Sequence, residues 1–120
     1  MGVQAVKIDT EGVATVVDLG ENTLKGFYEH IGCQWVDVVR LDPAKGFDMW
    51  IDDEGAVLAE PVLNVVATGI ARQHGFDWQP YFGTVVFAAS NDEGDTIDLP
   101  EEDRERLLAI SKRWQEAPAR

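Results

Sequence analysis

The same acidic turn is written twice in this chain. Asp52-Asp53-Glu54-Gly55 and Asn91-Asp92-Glu93-Gly94 each follow an apolar run, and each is followed, six residues after its glycine, by a proline, Pro61 and Pro100. Each proline leads into a stretch with helical spacing. Asp, Asn and Gly are turn residues for physical reasons: the side-chain oxygen bonds nearby backbone N–H groups, and glycine tolerates positive φ. Strands joined by such tight turns must pair antiparallel, because parallel neighbours need a long crossover. The echo predicts two strand–turn–strand–helix passages built alike.

The rest of the chain fits the same grammar. Residues 3–8 and 13–19 read as strands around the turn Thr10-Glu11-Gly12, a hairpin. Asn22 is a helix cap; Leu24, Phe27, Tyr28 and Ile31 follow at helical spacing, and Gly32 stands where a helix ends. Residues 34–41 and 47–51 read as strands across the turn 42–46, with Trp35 and Trp50 assigned to the core. A short strand at 56–58 follows the first acidic turn. Asn64 caps a second helix over 65–74, and Gly69 inside it marks close packing against the sheet. The continuous apolar run 84–89 is the central strand, and 96–99 a short one. Pro100 opens a last helix carrying Leu107, Ile110 and Trp114. Its acidic start (Glu101, Glu102, Asp103) and basic end (Lys112, Arg113) complement the helix dipole. The class is α+β: one domain over residues 1–116, a largely antiparallel sheet with about three helices packed on one face, and a disordered tail at 117–120.

Charge limits the partners. With 22 acidic and 10 basic residues the net charge is -12. That argues against direct nucleic-acid binding, which needs a basic footprint, and against anionic membranes. A single cysteine, Cys33, excludes an internal disulfide. The first residues lack a signal-peptide pattern, and no apolar run approaches membrane-spanning length, so the expected location is the cytoplasm.

The inventory for catalysis is thin. Ser90 and Ser111 sit outside any nucleophile elbow. Cys33 follows a helix end, where the dipole disfavours a thiolate. His30 and His74 each occupy the last turn of a helix, where the cationic form is favoured. Cysteine and histidine lack zinc spacing, and the acidic turns are too short for a calcium loop. No phosphate-cradling glycine motif occurs. The expectation is a protein without catalytic residues, metal or cofactor.

The binding candidate is the loop 76–83. Trp78, Tyr81 and Phe82 surround Pro80, and such rings either stack a planar ligand or anchor a partner protein. They equally well finish the core. Asn64 and Arg72 complete the candidate set, Asn64 as a cap first and a contact second, Arg72 as a cation able to meet an anionic ligand.

Several short motifs also resemble one family. They are Glu21-Asn22-Thr23-Leu24, Val-Asp-Val-Val at 36–39, Met-x-x-Asp-Asp-Glu-Gly at 49–55, and Pro-x-x-Asn-x-x-Ala-Thr at 61–68. Tyr-x-Gly-x-Val-Val at 81–86 and Leu-x-x-x-Asp at 99–103 complete them. Together they resemble the domain-of-unknown-function family 3846, found in actinobacteria, bacteriophages and mobile elements. The chain departs at Ile31-Gly32-Cys33-Gln34-Trp35, where the family often carries Gly-Gly-Tyr-Ile-Glu. The resemblance implies a small accessory protein of phage or mobile-element type. The function expected is non-catalytic binding, directed against host defence, of a small nucleotide-like ligand or a host protein. The alternative is an acidic inhibitor that mimics DNA. A homodimer is the default oligomer.

Overall fold

A computed structural model describes residues 2–55, 60–77 and 79–117. The elements are β1 (Gln4–Ile8), β2 (Ala14–Asp18), α1 (Thr23–Ile31), β3 (Val36–Asp42), β4 (Phe47–Asp52), α2 (Val65–Gln73), β5 (Val85–Ser90), β6 (Thr96–Ile97) and α3 (Glu101–Glu116). The class is α+β, and all strand pairings are antiparallel. The strand expected at 56–58, Trp78 and most of the expected tail lie outside the described residues.

Sheet order departs from chain order. The strands lie β2-β1-β5-β4-β3, and β6 continues along the β5 edge that β1 occupies further back. The apolar run of β5 is therefore bonded along both edges, to β1 and β6 on one side and β4 on the other.

Side chains alternate across the sheet. One face carries Val6, Ile8, Phe47, Met49, Val85 and Phe87, covered by Val66, Ala67 and Ile70 of α2 and Leu107 of α3. The other carries Ala5, Val17, Val86 and Ala88, covered by Phe27 of α1. The Phe27 ring stacks on Trp50 with centroids 4.1 Å apart. Helices on a single face are thus corrected to helices on both. The reason lies in β5: all of Val85, Val86, Phe87, Ala88 and Ala89 are buried, and consecutive strand residues cannot share one face.

The helix ends follow their sequence signals. Asn22 Oδ1 accepts the Lys25 N–H at 3.1 Å, and Gly32 closes α1 at φ 76°. Both acidic turns use the same device: Asp52 Oδ1 accepts the Glu54 N–H, and Asn91 Oδ1 accepts those of Glu93 and Asp95. Two expectations fail. Gly69 has open space where a side chain would stand, so it marks no close packing; Gly26, inside α1, is the helical glycine pressed against its neighbours, at the Leu19 carbonyl. Trp35 is not core. It lies just before β3 and is 60% exposed, the most exposed large apolar side chain among the described residues.

The two outer strands are treated differently. On the β2 side, the Ala14 N–H donates to Ser111 Oγ of α3 at 2.9 Å, and Ser111 Oγ donates to the Gly12 carbonyl. Gln115 Nε2 reaches the Glu11 carbonyl at 2.8 Å. No described strand pairs with the outer edge of β3. No described helix is long and apolar enough to cross a membrane.

Candidate functional site

The start of α2 holds the candidate loop in place. The Asn64 N–H donates to the Tyr81 carbonyl at 2.8 Å, and the Tyr81 N–H donates to Thr68 Oγ1 at 2.9 Å. The Gly83 N–H donates to the Val62 carbonyl at 2.8 Å, and Leu63 bridges Phe82. The Asn64 side chain works from inside this bracket. Its Oδ1 accepts the Ala67 N–H at 3.0 Å, while its Nδ2 donates to the carbonyls of Gly83 at 2.9 Å and Ile8 at 3.1 Å. It is fully buried, so helix, loop and central sheet meet on one amide.

Between this loop and the ends of β3 and β4 lies a cleft of about 150 Å³. Pro80, Tyr81, Phe82 and Gln79 form one wall; Asp37, Ile51, Asp52, Asp53 and Gly55 form the other. A shallower groove of about 320 Å³ shares Asp37, Ile51, Gln79 and Tyr81 and runs on along Val38, Val39 and Arg40 of β3. Two of the three cleft carboxylates are oriented by their own backbone: Asp37 Oδ1 accepts the Val38 N–H at 2.8 Å, and Asp52 Oδ1 the Glu54 N–H at 2.9 Å. One carboxylate oxygen of each is spoken for, and the site keeps a concentration of negative charge.

The five residues singled out from sequence do not converge. Tyr81 and Phe82 line the cleft. Tyr81 is also core, only 3% exposed, and burial pushes its phenol above the ordinary value. Asn64 is enclosed and its amide is occupied by backbone. Arg72 lines a different surface groove with Leu63, Val65, Thr68 and Gly69. Trp78 lies outside the described residues. What the sequence reading set aside was the first acidic turn: Asp52 and Asp53 stand across the cleft from the aromatic loop. Asp37 had no motif to announce it; its position follows from register, opposite Ile51 on β4.

Reactive groups near the cleft are quiet. Burial, with the Asp52 carboxylate adding to it, raises the Cys33 thiol and keeps it protonated, against a weaker opposing backbone hydrogen bond from Trp35. His74 packs against Phe47, and burial together with the Arg106 charge lowers its pKa. The cationic preference expected from its place at a helix end is thus overridden by desolvation. His30 Nε2 sits 3.1 Å from the Asp18 carbonyl. Neither histidine lines the cleft. Among the described residues, no three His, Cys, Asp or Glu side chains come together as a metal site.

A second groove of about 410 Å³ runs between α2 and α3, lined by Val65, Val66, Ile70, Ile110 and Trp114. Its lining is mostly apolar, with Gln73 and Arg113 the polar side chains beside it.

No curated protein and no solved structure matches the chain. A family model does, over residues 3–114, and its description is a domain of unknown function, DUF3846. The match spans both turns, all the helix starts and both walls of the cleft, and the chain belongs to the DUF3846 family.

Proposed function

We propose that this protein is a non-catalytic binding protein that captures a cationic group of a host protein in the cleft between the first acidic turn and the loop 76–83. The observation that carries this reading is the lining: three carboxylates, Asp37, Asp52 and Asp53, beside Tyr81 and Phe82 in one narrow cleft. Of the two occupants expected from sequence, the nucleotide-like ligand fits worse, because its phosphates would meet like charge. A lysine or arginine side chain meets opposite charge at its head and apolar wall along its stem. The company the family keeps, in actinobacteria, bacteriophages and mobile elements, supports an accessory role in the bacterial cytoplasm, directed against host defence.

The test is calorimetric titration with two probes: a soluble octapeptide of alternating lysine and threonine, and a panel of nucleotides and cyclic nucleotides. The peptide is expected to bind, more weakly at high salt, and to lose affinity in Asp37→Asn and Asp53→Asn. Asn at 37 can still accept the Val38 N–H, so that variant isolates the charge. Nucleotide binding, or peptide binding indifferent to both substitutions, would reverse the assignment.

The DNA-mimic reading draws on a separate surface. Asp92, Glu93, Asp95, Asp98, Glu101, Glu102 and Glu105 are all exposed within one stretch from the second acidic turn into α3. Neutralising four of them would abolish inhibition of a DNA-binding enzyme under that reading and leave cleft binding intact.

A further inference from the structure

We infer that the outer edge of β3 takes an extended segment of the captured partner as an added strand, with a lysine or arginine of that segment seated in the acidic cleft. The inference rests on the cleft reading above and specifies how the partner is held. It starts from backbone parity. The Asp53 N–H donates to the Trp35 carbonyl at 3.0 Å, so Trp35 faces β4. Alternation then turns Asp37 and Val39 toward β4 as well, and turns Val36, Val38 and Arg40 outward. The next strand boundary agrees: the Ser90 N–H donates to the Gly46 carbonyl, which commits the even positions of β4 to β5 and leaves the odd ones for β3.

An outward row of strand donors and acceptors is a template for another strand unless it is covered. On the opposite outer strand, β2, Ser111 of α3 takes the first outward N–H, that of Ala14. On β3 the Val38 N–H is held by Asp37, and no described strand takes the rest. The groove beside this edge is continuous in its lining with the acidic cleft, sharing Asp37, Ile51, Gln79 and Tyr81. Side chains of an added strand that fall on the Asp37 face therefore point along one path toward three carboxylates. The exposed Trp35 at the head of the strand supplies the aromatic anchor that such interfaces favour. Charge complementarity selects the occupant: an extended, basic segment, not an acidic one and not a helix.

The experiment uses the full chain and three lysine–threonine octapeptides: unmodified, N-methylated at odd residues, and N-methylated at even residues. An added strand bonds along one edge, so methylation in one phase removes its hydrogen bonds and in the other spares them. Affinity is expected to fall by about tenfold or more in one phase only, the equivalent of one or two net hydrogen bonds. Amide exchange on the saturated protein should slow at Val36 and Arg40 and stay unchanged at Asp37 and Val39. Binding that responds to Asp37→Asn and Asp53→Asn but shows neither phase dependence nor this alternation overturns strand addition and leaves cleft capture standing. Absence of binding by the unmodified peptide overturns both. Because the decisive changes are made in the peptide, the fold of the protein is not at stake.

Discussion

Replacing Asn64 separates a structural amide from a ligand contact, and the structure sets the size of the effect. The side chain caps α2 through Ala67 and donates to the carbonyls of Gly83 and Ile8, all from a fully buried position. Asn64→Ala loses a cap, about 1 kcal/mol, and strands two carbonyls at about 1 kcal/mol each. The sum, about 3 kcal/mol, is a large fraction of the 5–15 kcal/mol typical of a domain. With an unfolding entropy near 2.1 cal/mol/K per residue over 120 residues, that corresponds to a fall in Tm of about 12 °C. Asn64→Asp sharpens the test. It keeps the oxygen that caps the helix, but it replaces the donor with a charged acceptor facing two carbonyls. It should destabilise at least as much as alanine. Urea unfolding at constant m-value reads both. An Asn64→Asp protein within about 1 kcal/mol of the parent would refute the bracket, since a cap alone survives that exchange.

Other substitutions probe features that look alike in sequence. Gly69→Ala should stabilise by roughly 0.5–1 kcal/mol, because the helical site has open space, whereas Gly26→Ala should cost about 1–3 kcal/mol through overlap with the Leu19 carbonyl; thermal melts decide both. Arg40 Nη1 lies 3.0 Å from Asp48 Oδ2, and Asp48 is nearly fully enclosed while Arg40 is about half exposed. Arg40→Ala should therefore cost about 3 kcal/mol by leaving a buried charge unpaired, and the double change Arg40→Met with Asp48→Leu should cost less than the single one; a double-mutant series by denaturation checks this. His74 has a folded pKa below its ordinary 6.5, chiefly through burial. Below 6.5 the unfolded chain then binds the proton that the fold resists, so this group's contribution to stability is complete above 6.5 and declines as pH falls toward the folded pKa. The drop in Tm from pH 7.5 to 5.5 should be shallower in His74→Gln than in the parent, and an equal slope would refute the assignment.

Local chemistry was readable in the sequence because it is local. Asn22, Gly32, the cap oxygen of Asn64 and the oxygens of Asp52 and Asn91 act within four residues of themselves, so those roles follow from spacing, whereas the Asn64 bonds to Gly83 and Ile8 do not. The failures are of longer range. Whether Trp35 is core depends on where β3 begins and what passes over it, and nothing near residue 35 records that. Gly26 and Gly69 are both glycines inside short helices, and only the path of Leu19 distinguishes them. The covering of both faces had a signal that was available: five consecutive buried residues in β5 require apolar partners on each side. The cleft had none, since Asp37, Asp52 and Tyr81 come from three segments brought together by sheet order and by the bracket at Asn64.

The two acidic turns show how one piece of turn chemistry acquires two different surroundings. In both, an oxygen at the first position accepts a backbone N–H two residues on. The second turn begins with an amide, Asn91, and closes the short β5–β6 hairpin, where its oxygen takes two N–H groups and carries no charge of its own. The first begins with a carboxylate, Asp52, at the end of β4, the strand that pairs with the inner edge of β3. A turn needs the oxygen but not the charge, since Asn and Asp serve that geometry alike. The charge at Asp52 is therefore surplus to the turn. It lies opposite an aromatic wall and joins two other carboxylates that the fold brings there. On the cleft-capture reading proposed above, that surplus, and not the repeat itself, is what recruits the first turn.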